Sequence, residues 1–457
     1  MHKRFWWYAA FGLAIASPFT QARDGDLDAG FGDAGLSIVT FDTSAYANAL
    51  AIAPDGRLVL AGSARASANI SEDVAAARLL ADGTPDPEFS GDGRVVITST
   101  GATNERASAA LVRADGRIVM AGATNAASTY DMLVMQLDVD GSPDSGFGTA
   151  GAVVIPFDLG FDHVDQAWAV AEDAEGRLLV AGHADLSDGA DASDVALARL
   201  NADGSLDTSF GSDGKTTFPF DPDLFAYPDS DYATSIAFDA SGNILVGGYV
   251  RDGHSGDEDF AIARLLPSGA IDTSFGEEGR ARIDFALGGW SDEAWRLLVA
   301  PDGAIYLVGD ATYQNAYLHI AVARLTPAGA LDTAWGAGGT MTISMPSDDD
   351  DSAQASAAAL QPDGKLIVAG TMRNGGGNFR FAFARLDANG QLDPTFGAGG
   401  TRAYGLGTAP DEWNEVVSEL RIDADGHAVF SGYSYSQASF IAGRLVIDTI
   451  FDDGFEP

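Results

Sequence analysis

The stretch Ala270–Gly279 reads AIDTSFGEEG and recurs along the chain at nearly constant intervals. Further on, Ala330–Gly339 reads ALDTAWGAGG, and Gln391–Gly400 reads QLDPTFGAGG. The shared opening motif is Asp-x-x-aromatic-Gly-x-x-Gly, in which only Ser90 replaces the first glycine. Its aspartates are Asp28, Asp86, Asp144, Asp207, Asp272, Asp332 and Asp393. A period of about 60 residues in a 457-residue chain indicates a repeat architecture.

Each repeat also contains a glycine turn followed by an apolar run, such as PDGRLVLAG at Pro54–Gly62. A β-branched segment that ends in Arg-Leu follows, such as DVALARL at Asp194–Leu200, with Gln136 in place of the arginine in the second copy. The turn glycines are Gly56, Gly116, Gly176, Gly242, Gly303, Gly364 and Gly426. Asp-Gly or Ser-Gly between β-prone residues predicts a hairpin, because the turn requires positive φ. We name the four predicted strands a (after the opening motif), b and c (around the turn) and d (ending in Arg-Leu).

Seven copies of four antiparallel strands predict an all-β fold, a seven-bladed β-propeller over residues 23–447. Closing the blades into a ring removes exposed sheet edges. A linear β-solenoid is the alternative, and its coils are usually shorter and parallel. We expect the opening motif to connect outer strand d of one blade to inner strand a of the next. Its aromatic residue would fill the gap between blades, and its aspartate would cap backbone N–H groups or pair with the arginine of strand d.

The combination of ARLLPSG (Ala263–Gly269) with LDTSFGEEG-like motifs and PDGKLIVAG-like turns resembles the delta-60 repeat family. The resemblance covers about residues 24–447 and is carried by all the repeats. It implies an exported bacterial chain with a propeller fold. It implies no catalytic residue, because the family has no agreed biochemical function.

The N-terminus has the pattern of a secretory signal peptide over residues 1–22. Three charged or titratable residues at His2–Arg4 precede the apolar run Phe5–Ala16, and TQA places the cleavage after Ala22. This run is too short to span a membrane, which takes about 20 residues. A buried N-terminal helix is the alternative. We therefore expect an exported protein, periplasmic, cell-surface or extracellular, with no integral membrane span.

The charge balance limits the partners of the mature chain. Removal of residues 1–22 takes away Lys3 and Arg4, which leaves 24 basic and 66 acidic residues and a net charge of −42. Such a surface repels nucleic acid, so the expected partners are a protein or a glycan. There is no cysteine, so stability must come from packing and ring closure. We expect a monomer.

The C-terminal residues 448–457 break the repeat pattern. Arg444 is the last strand-d arginine, but Asp448 follows it more closely than the motif aspartate follows the arginine in the other repeats. The sequence IDTIF at Ile447–Phe451 still copies IDTSF of the earlier motifs. Residues 448–457 are therefore either a segment that closes the ring or a sorting tail.

Length variation is confined to the a–b and c–d loops, whereas the b–c turns and the opening motifs keep their lengths. Because strand direction alternates, the a–b and c–d loops share one face of the disc, which we call the loop face. The b–c turns and the opening motifs share the other, the turn face. Binding residues usually lie on variable loops held by a rigid scaffold, so we expect the ligand on the loop face.

Acids and aromatic residues concentrate in these loops. In five repeats a carboxylate precedes the turn glycine at one constant spacing, as Asp165 precedes Gly176, and aromatic residues flank it. Carboxylates accept sugar hydroxyl hydrogens and bind Ca²⁺, while flat rings pack on sugar faces. The alternative is that the acids are polar strand ends and the aromatic residues, Trp295 especially, are buried. The predicted ligand-binding set is Glu105, Asp165, Asp231, Asp292, Trp290, Trp413, Tyr227 and Tyr313.

Enzyme motifs are missing from the sequence. The five histidines beyond residue 22 form no metal-spaced pair, and there is no nucleophile elbow or phosphate loop. The sequence therefore predicts a secreted binding or surface-interaction propeller with no assigned catalytic residue. Ca²⁺ is the only cofactor that its carboxylates suggest. The alternative is a propeller glycoside hydrolase or lyase that uses acids of the loop face.

Overall fold

A computed structural model describes the chain from residue 23 to residue 447, with several loops left out. The described ranges are 23–65, 71–97, 104–125, 129–159, 164–186, 192–221, 230–253, 255–313, 317–345, 352–373, 378–406, 414–435 and 439–447, without the side chains of 288–290. The predicted signal peptide and the C-terminal residues 448–457 lie outside these ranges. Every regular element within them is a β-strand. They contain no helix with the length and apolarity to span a membrane.

The strands pair antiparallel in sets of four, in the order b, c, d, a across each sheet. The first set is β2 (Ser44–Ile52), β3 (Leu58–Arg65), β4 (Asp73–Leu79) and β5 (Arg94–Ile97). The next is β6 (Glu105–Val112), β7 (Ile118–Thr124), β8 (Asp131–Leu137) and β9 (Ala152–Ile155). It is followed by β10 (Asp165–Glu172), β11 (Leu178–Asp185), β12 (Ser193–Leu200) and β13 (Lys215–Phe218). Then come β14 (Ser230–Phe238), β15 (Ile244–Arg251), β16 (Glu258–Leu265) and β17 (Arg280–Ile283).

The remaining sets follow the same order. One comprises β18 (Gly288–Val299), β19 (Ile305–Tyr313), β20 (Tyr317–Leu325) and β21 (Thr340–Ile343). Another comprises β22 (Ala353–Leu360), β23 (Leu366–Arg373), β24 (Phe379–Leu386) and β25 (Thr401–Tyr404). The last joins β26 (Glu415–Ile422), β27 (Ala428–Ser434) and β28 (Ser439–Leu445) to β1 (Leu36–Thr40) from the N-terminal end.

Strand b of each set contacts strand b of the neighbouring sets. β2 contacts both β6 and β26, so the row of inner strands returns to its starting point around a central channel. This architecture is a β-propeller, and each set of four strands is a blade. Apolar side chains fill the seams between blades. At the seam between the β2–β5 blade and the β26–β28 blade, Leu50 and Leu60 pack in one cluster with Val429 and Phe440.

The position of strand a corrects the sequence-based expectation. It is the outermost strand of the same blade as the preceding strand d, and not the inner strand of the next blade. β5 pairs with β4, for example, from Val74↔Ile97 to Ala77↔Arg94. The opening motif is too short to lead from the rim to the channel, so it folds back as a connection between adjacent strands. The longer a–b loops make the crossing to the next blade.

The opening motif fastens neighbouring blades together. Arg78 Nε donates to Asp86 Oδ2 at 2.7 Å, and the other oxygen of Asp86 accepts the backbone N–H of Glu88 at 2.9 Å. The Arg78 guanidinium lies 4.9 Å from the ring centroid of Phe89, which is fully buried. The next residue, Ser90, donates its N–H to the carbonyl oxygen of Asp140 in the following blade at 2.8 Å. Both roles expected for the aspartate are therefore present.

The N-terminal segment completes the last blade. β1 pairs with β28 from Leu36↔Gly443 to Thr40↔Ser439. Asp28 takes the place of the motif aspartate for Arg444, so residues 28–35 occupy the position that the sequence suggested for residues 448–451. The ring is therefore closed by a strand from the beginning of the chain.

Candidate functional site

The inner strand of each blade carries one β-bulge at the same place. In β10, Ala167 pairs with Gly182 and Ala169 pairs with Ala181, which leaves Trp168 as the extra residue. The run-end glycine of strand c makes the bulge possible, because a Cβ on Gly182 would lie 1.8 Å from the carbonyl oxygen of Gln166. The bulged residues are Asn48, Ser108, Trp168, Thr234, Trp295, Ser356 and Ser418.

The bulged residues line a cavity of about 440 Å³ at the loop-face end of the channel. Short polar members of the set close its wall by reaching the next inner strand. Asn48 Nδ2 donates to the carbonyl oxygen of Ala107 at 2.8 Å, and Thr234 Oγ1 donates to that of Ala294 at 2.7 Å. Concave sites lined by aromatic rings and a few polar groups are the usual ligand sites of proteins.

Two bulged residues are tryptophans, and each is held by its ring N–H. Trp168 Nε1 donates to His183 Nδ1 at 3.3 Å, and Trp295 Nε1 donates to Asp310 Oδ1 at 3.1 Å. Burial, together with the charge of Arg106, lowers the pKa of His183 to about 4. His183 is therefore neutral near pH 7, with its proton on Nε2. The two rings are fixed in orientation before any ligand arrives.

Carboxyl groups stand behind Trp295. Burial and the nearby charge of Glu293 raise the pKa of Asp310, which is 1% exposed. Burial and the charge of Glu258 raise the pKa of Glu293 to about 7. Ser291 Oγ lies 2.5 Å from an oxygen of Glu258. These raised pKa values give the wall less negative charge than its composition suggests.

Arg106 lies beside Trp168 in the cavity wall, with its guanidinium 5.4 Å from the ring centroid. It donates to Gln166 Oε1, and its buried Nε has no partner among the described residues. Burial lowers the pKa of Arg106, since it disfavours the charged form. No carboxylate of the described part of the chain forms an ion pair with it.

Arg296 forms the floor of the cavity. Its Nη2 donates to the carbonyl oxygen of Ser418 at 2.8 Å and lies 3.1 Å from Oε2 of Glu419. These residues belong to β18 and β26, between which β22 is inserted in the ring. The ion pair therefore crosses the channel. A second cavity of about 230 Å³ lies on its turn-face side, near Arg421.

The acids predicted from the sequence to bind a ligand contact loop backbone and do not line the cavity. Asp165 accepts the N–H of Phe157 at 2.6 Å, at the beginning of an a–b loop. Asp231 accepts the N–H of Phe220, and Asp292 accepts that of Phe285, each at 3.0 Å. All three carboxyls are buried. They hold the first turn of each loop to the following inner strand.

The remaining predicted residues are dispersed. Glu105 is buried and accepts from Thr124 Oγ1 at 3.1 Å. Tyr313 is 40% exposed and stacks on His319 at 5.3 Å between ring centroids. The side chain of Trp290, and the whole of Trp413 and Tyr227, lie outside the described residues. No described member of the predicted set lines the cavity.

Sequence reasoning missed Trp168 and Arg106, and it left open whether Trp295 contacts a ligand or is buried in strand b. A positional signal existed, since every bulged residue precedes its turn glycine at one constant spacing, as Trp168 precedes Gly176. The chemistry of that position varies among Asn, Ser, Thr and Trp. A search for one residue type at fixed spacing therefore did not find it.

One acidic cluster has donor atoms suited to a cation. Carboxylate oxygens of Asp259, Asp284 and Asp292 lie within 4.8 Å of one another. Burial and the charges of neighbouring carboxylates raise the pKa of Asp292 to about 7. Arg282 forms an ion pair with Asp259 at this place. A positive charge of the protein itself therefore offsets part of the negative charge of the cluster.

Family comparison places β-propeller repeats along the chain. Six stretches match the family described as a domain of unknown function (DUF5122) beta-propeller: residues 53–89, 113–147, 174–210, 240–275, 300–334 and 361–396. Five of the six stretches run from a b–c turn to the aromatic residue of the next opening motif, and the other ends one residue before it. The bulged residues fall outside them. These matches support a β-propeller repeat protein.

Solved structures resemble the chain in fold alone. A polysaccharide lyase of family PL25, an ulvan lyase, is 10% identical with a TM-score of 0.48, covering 92% of this chain and 94% of its own. Sqt1 from Chaetomium thermophilum is 13% identical with a TM-score of 0.43, covering 90% and 97%. The N11 neuraminidase-like protein of A/flat-faced bat/Peru/033/2010 is 10% identical with a TM-score of 0.39, covering 94% and 98%. No curated protein matches the chain.

Proposed function

We propose that the chain is an exported, seven-bladed binding propeller of the delta-60 type, whose ligand enters the cavity at the loop-face end of the channel. One observation carries this proposal: Trp168 and Trp295 face the cavity and are held by His183 and Asp310. A binding site gains affinity when its contact residues are ordered in advance. Export rests on the signal-like pattern of residues 1–22.

A carbohydrate fits this cavity best. Flat indole rings pack on the apolar faces of sugar rings, while hydroxyl and amide side chains bond the sugar hydroxyls. Gln354, Ser356 and Thr371 supply such groups in the same wall. The large negative net charge of the chain disfavours nucleic acid as the ligand of this cavity.

A glycan array tests the proposal, followed by titration calorimetry on each hit. Trp295→Ala should abolish binding to the hits, and Trp295→Phe should weaken it while keeping the contact with Tyr249, 5.8 Å away between ring centroids. Tyr313→Ala is the matched control, because it removes an exposed aromatic ring outside the cavity. An array without hits contradicts the carbohydrate proposal. Loss of binding with Tyr313→Ala but not with Trp295→Ala would place the ligand on the loops.

The same titrations decide whether Ca²⁺ takes part. They are run with added Ca²⁺ and with a chelator, for the natural chain and for Asp292→Asn. A Ca²⁺ requirement lost in Asp292→Asn assigns the cation to the Asp259, Asp284 and Asp292 cluster. Equal affinity under both conditions removes Ca²⁺ from the proposal.

Glycoside hydrolysis or elimination is the second candidate. It is favoured by Glu293, whose raised pKa of about 7 is typical of a general acid, next to Asp310 at the cavity. A turnover assay on each bound glycan, with Glu293→Gln as the comparison, separates the two functions. Bound glycan that stays intact over days identifies a binding protein.

A further inference from the structure

We propose that the cavity selects an acidic sugar, whose carboxylate binds the guanidinium of Arg106 while its ring packs against Trp168. This inference rests on the proposed function and names its ligand class. It starts from the surroundings of Arg106, which differ from those of the other channel arginine. Arg296 has Glu419 as its ion-pair partner, whereas Arg106 forms no ion pair with a carboxylate in the described part of the chain.

The missing carboxylate is informative in a chain with 66 acidic and 26 basic residues. The connector arginines show the usual arrangement, and Arg385 even lies between Asp24 and Asp393. A guanidinium that is largely buried without a direct ion-pair partner is unfavourable. The charge of Glu72 acts on Arg106 from beyond ion-pair distance and offsets only part of the burial cost, so an anionic ligand would relieve the rest. Arg106 Nε also has no hydrogen-bond partner among the described residues and adds an unused donor.

The rest of the wall does not repel an anion. The carboxyls behind Trp295 lie on β18 and β19, in another blade from Arg106 on β6. Along the ring of inner strands, two strands separate β6 from β18 on one side and three on the other. Burial raises the pKa of both Glu293 and Asp310, which makes that wall less negative than its composition suggests. One side of the cavity therefore attracts a carboxylate, and the other offers donors and acceptors to hydroxyl groups.

Paired probes that differ only in charge test this inference. Trigalacturonate, its methyl ester and free acetate are titrated by calorimetry into the full-length mature chain. We expect trigalacturonate to bind at least roughly tenfold more tightly than the ester, and acetate to bind much more weakly than either. The acetate arm distinguishes an acidic sugar from any small carboxylate.

Variants then assign the preference to Arg106. Arg106→Gln should remove the preference for the acid over the ester, and Arg106→Lys should restore part of it. Arg94→Gln is the matched control, since Arg94 is a partly exposed arginine of the outer strand β5 that pairs with Asp92 at 3.2 Å and does not line the cavity. The control should leave both affinities unchanged. Thermal melting confirms that every variant is folded.

The outcomes separate this inference from the proposed function. Equal binding of acid and ester, lost together in Trp295→Ala, overturns the acidic-sugar inference and leaves the binding cavity in place. A preference for the acid that survives Arg106→Gln also overturns the inference. If neither sugar binds and the array hits that depend on Trp295 are neutral glycans, the inference is overturned. If those hits are acidic glycans whose binding does not depend on Arg106, it is overturned as well. If no glycan binds at all, the proposed function fails as well.

Discussion

Arg444 and Asp28 are 416 residues apart in sequence, and the Nε of one lies 2.7 Å from an Oδ2 of the other. Arg264 and Asp272 make the same contact at 2.8 Å although they lie close together in sequence. The contact that closes the ring is therefore a copy of the contact inside four other repeats. The N-terminal segment supplies the fourth strand of the last blade, which the end of the repeat array lacks.

Deletion of residues 23–41 should open the ring and lower the melting temperature. The deletion removes β1 and the buried Val39 and Phe41, and each buried side chain of this kind contributes about 1.5–3 kcal/mol. It also exposes the edge of β28. Deletion of residues 448–457 is the comparison, measured by thermal and denaturant unfolding. An equal loss from the C-terminal deletion would show that the tail, and not β1 alone, closes the ring.

Arg385→Met should destabilise the protein more than Arg264→Met. Arg385 is fully buried between Asp24 and Asp393, so its removal leaves two buried carboxylates and should cost about 3–5 kcal/mol. Arg264 is 15% exposed and its main carboxylate partner is Asp272, so its loss should cost about 1 kcal/mol. Denaturant unfolding at pH 7 measures both. Similar losses of unfolding free energy in the two variants would mean that burial of an ion pair does not determine how much it contributes to stability.

Ser90 occupies a position where the other opening motifs have glycine, and both residue types adopt positive φ there. The φ of Ser90 is 51° and that of Gly211 is 54°. A Cβ on Gly211 would lie 2.1 Å from the carbonyl oxygen of Lys215, so Gly211→Ser should destabilise by about 1–3 kcal/mol. Ser90→Gly should stabilise by up to about 1 kcal/mol. Opposite shifts in the unfolding midpoint are expected, and two shifts of one sign would contradict this account.

Stability should decrease as pH rises from about 4 to about 7.5. Burial raises the pKa of Asp165 to about 6 and that of Asp292 to about 7. The folded state then binds more protons than the unfolded state between the ordinary pKa near 4 and these values, so unfolding becomes easier with rising pH. Asp292→Asn should flatten the pH dependence of the melting temperature, while Asp213→Asn, an exposed carboxyl, should not. A melting temperature that rises from pH 5 to pH 7.5 would refute this.

The repeat markers were enough to predict the strands and the two faces of the disc, because turn glycines and alternating runs leave little freedom of register. The markers could not place strand a. Neighbouring strands are antiparallel in both arrangements, whether β5 pairs with β4 of its own blade or with the first strand of the next blade. The ion pair of Arg78 with Asp86 lies in the connection that brings β5 back beside β4. Sequence spacing alone does not show which strand of the blade is outermost. The β26–β28 blade needed its fourth strand from elsewhere, which sequence order hides.

The candidate site was harder to predict for a physical reason. The bulge interrupts the alternation of strand b, so Trp168 has the pattern of an ordinary buried strand residue, and Trp295 could not be assigned to the channel or to the core. The conspicuous acids, such as Asp165, are directed at loop amides and do not line the cavity. Acids at the starts of these strands accept hydrogen bonds from backbone N–H groups of the loops and are not directed at the cavity.

The ion pair of Arg296 with Glu419 gives the ligand cavity a bottom. A cavity open at one end cannot be threaded by a polymer. If the ligand is a long glycan, as proposed above, it can present only a chain end or a side branch to Trp295, and the rest of the molecule stays outside the disc. The number of molecules bound would then depend on the number of chain ends. Cutting a given mass of polymer into shorter chains would therefore raise the number of binding sites that it offers.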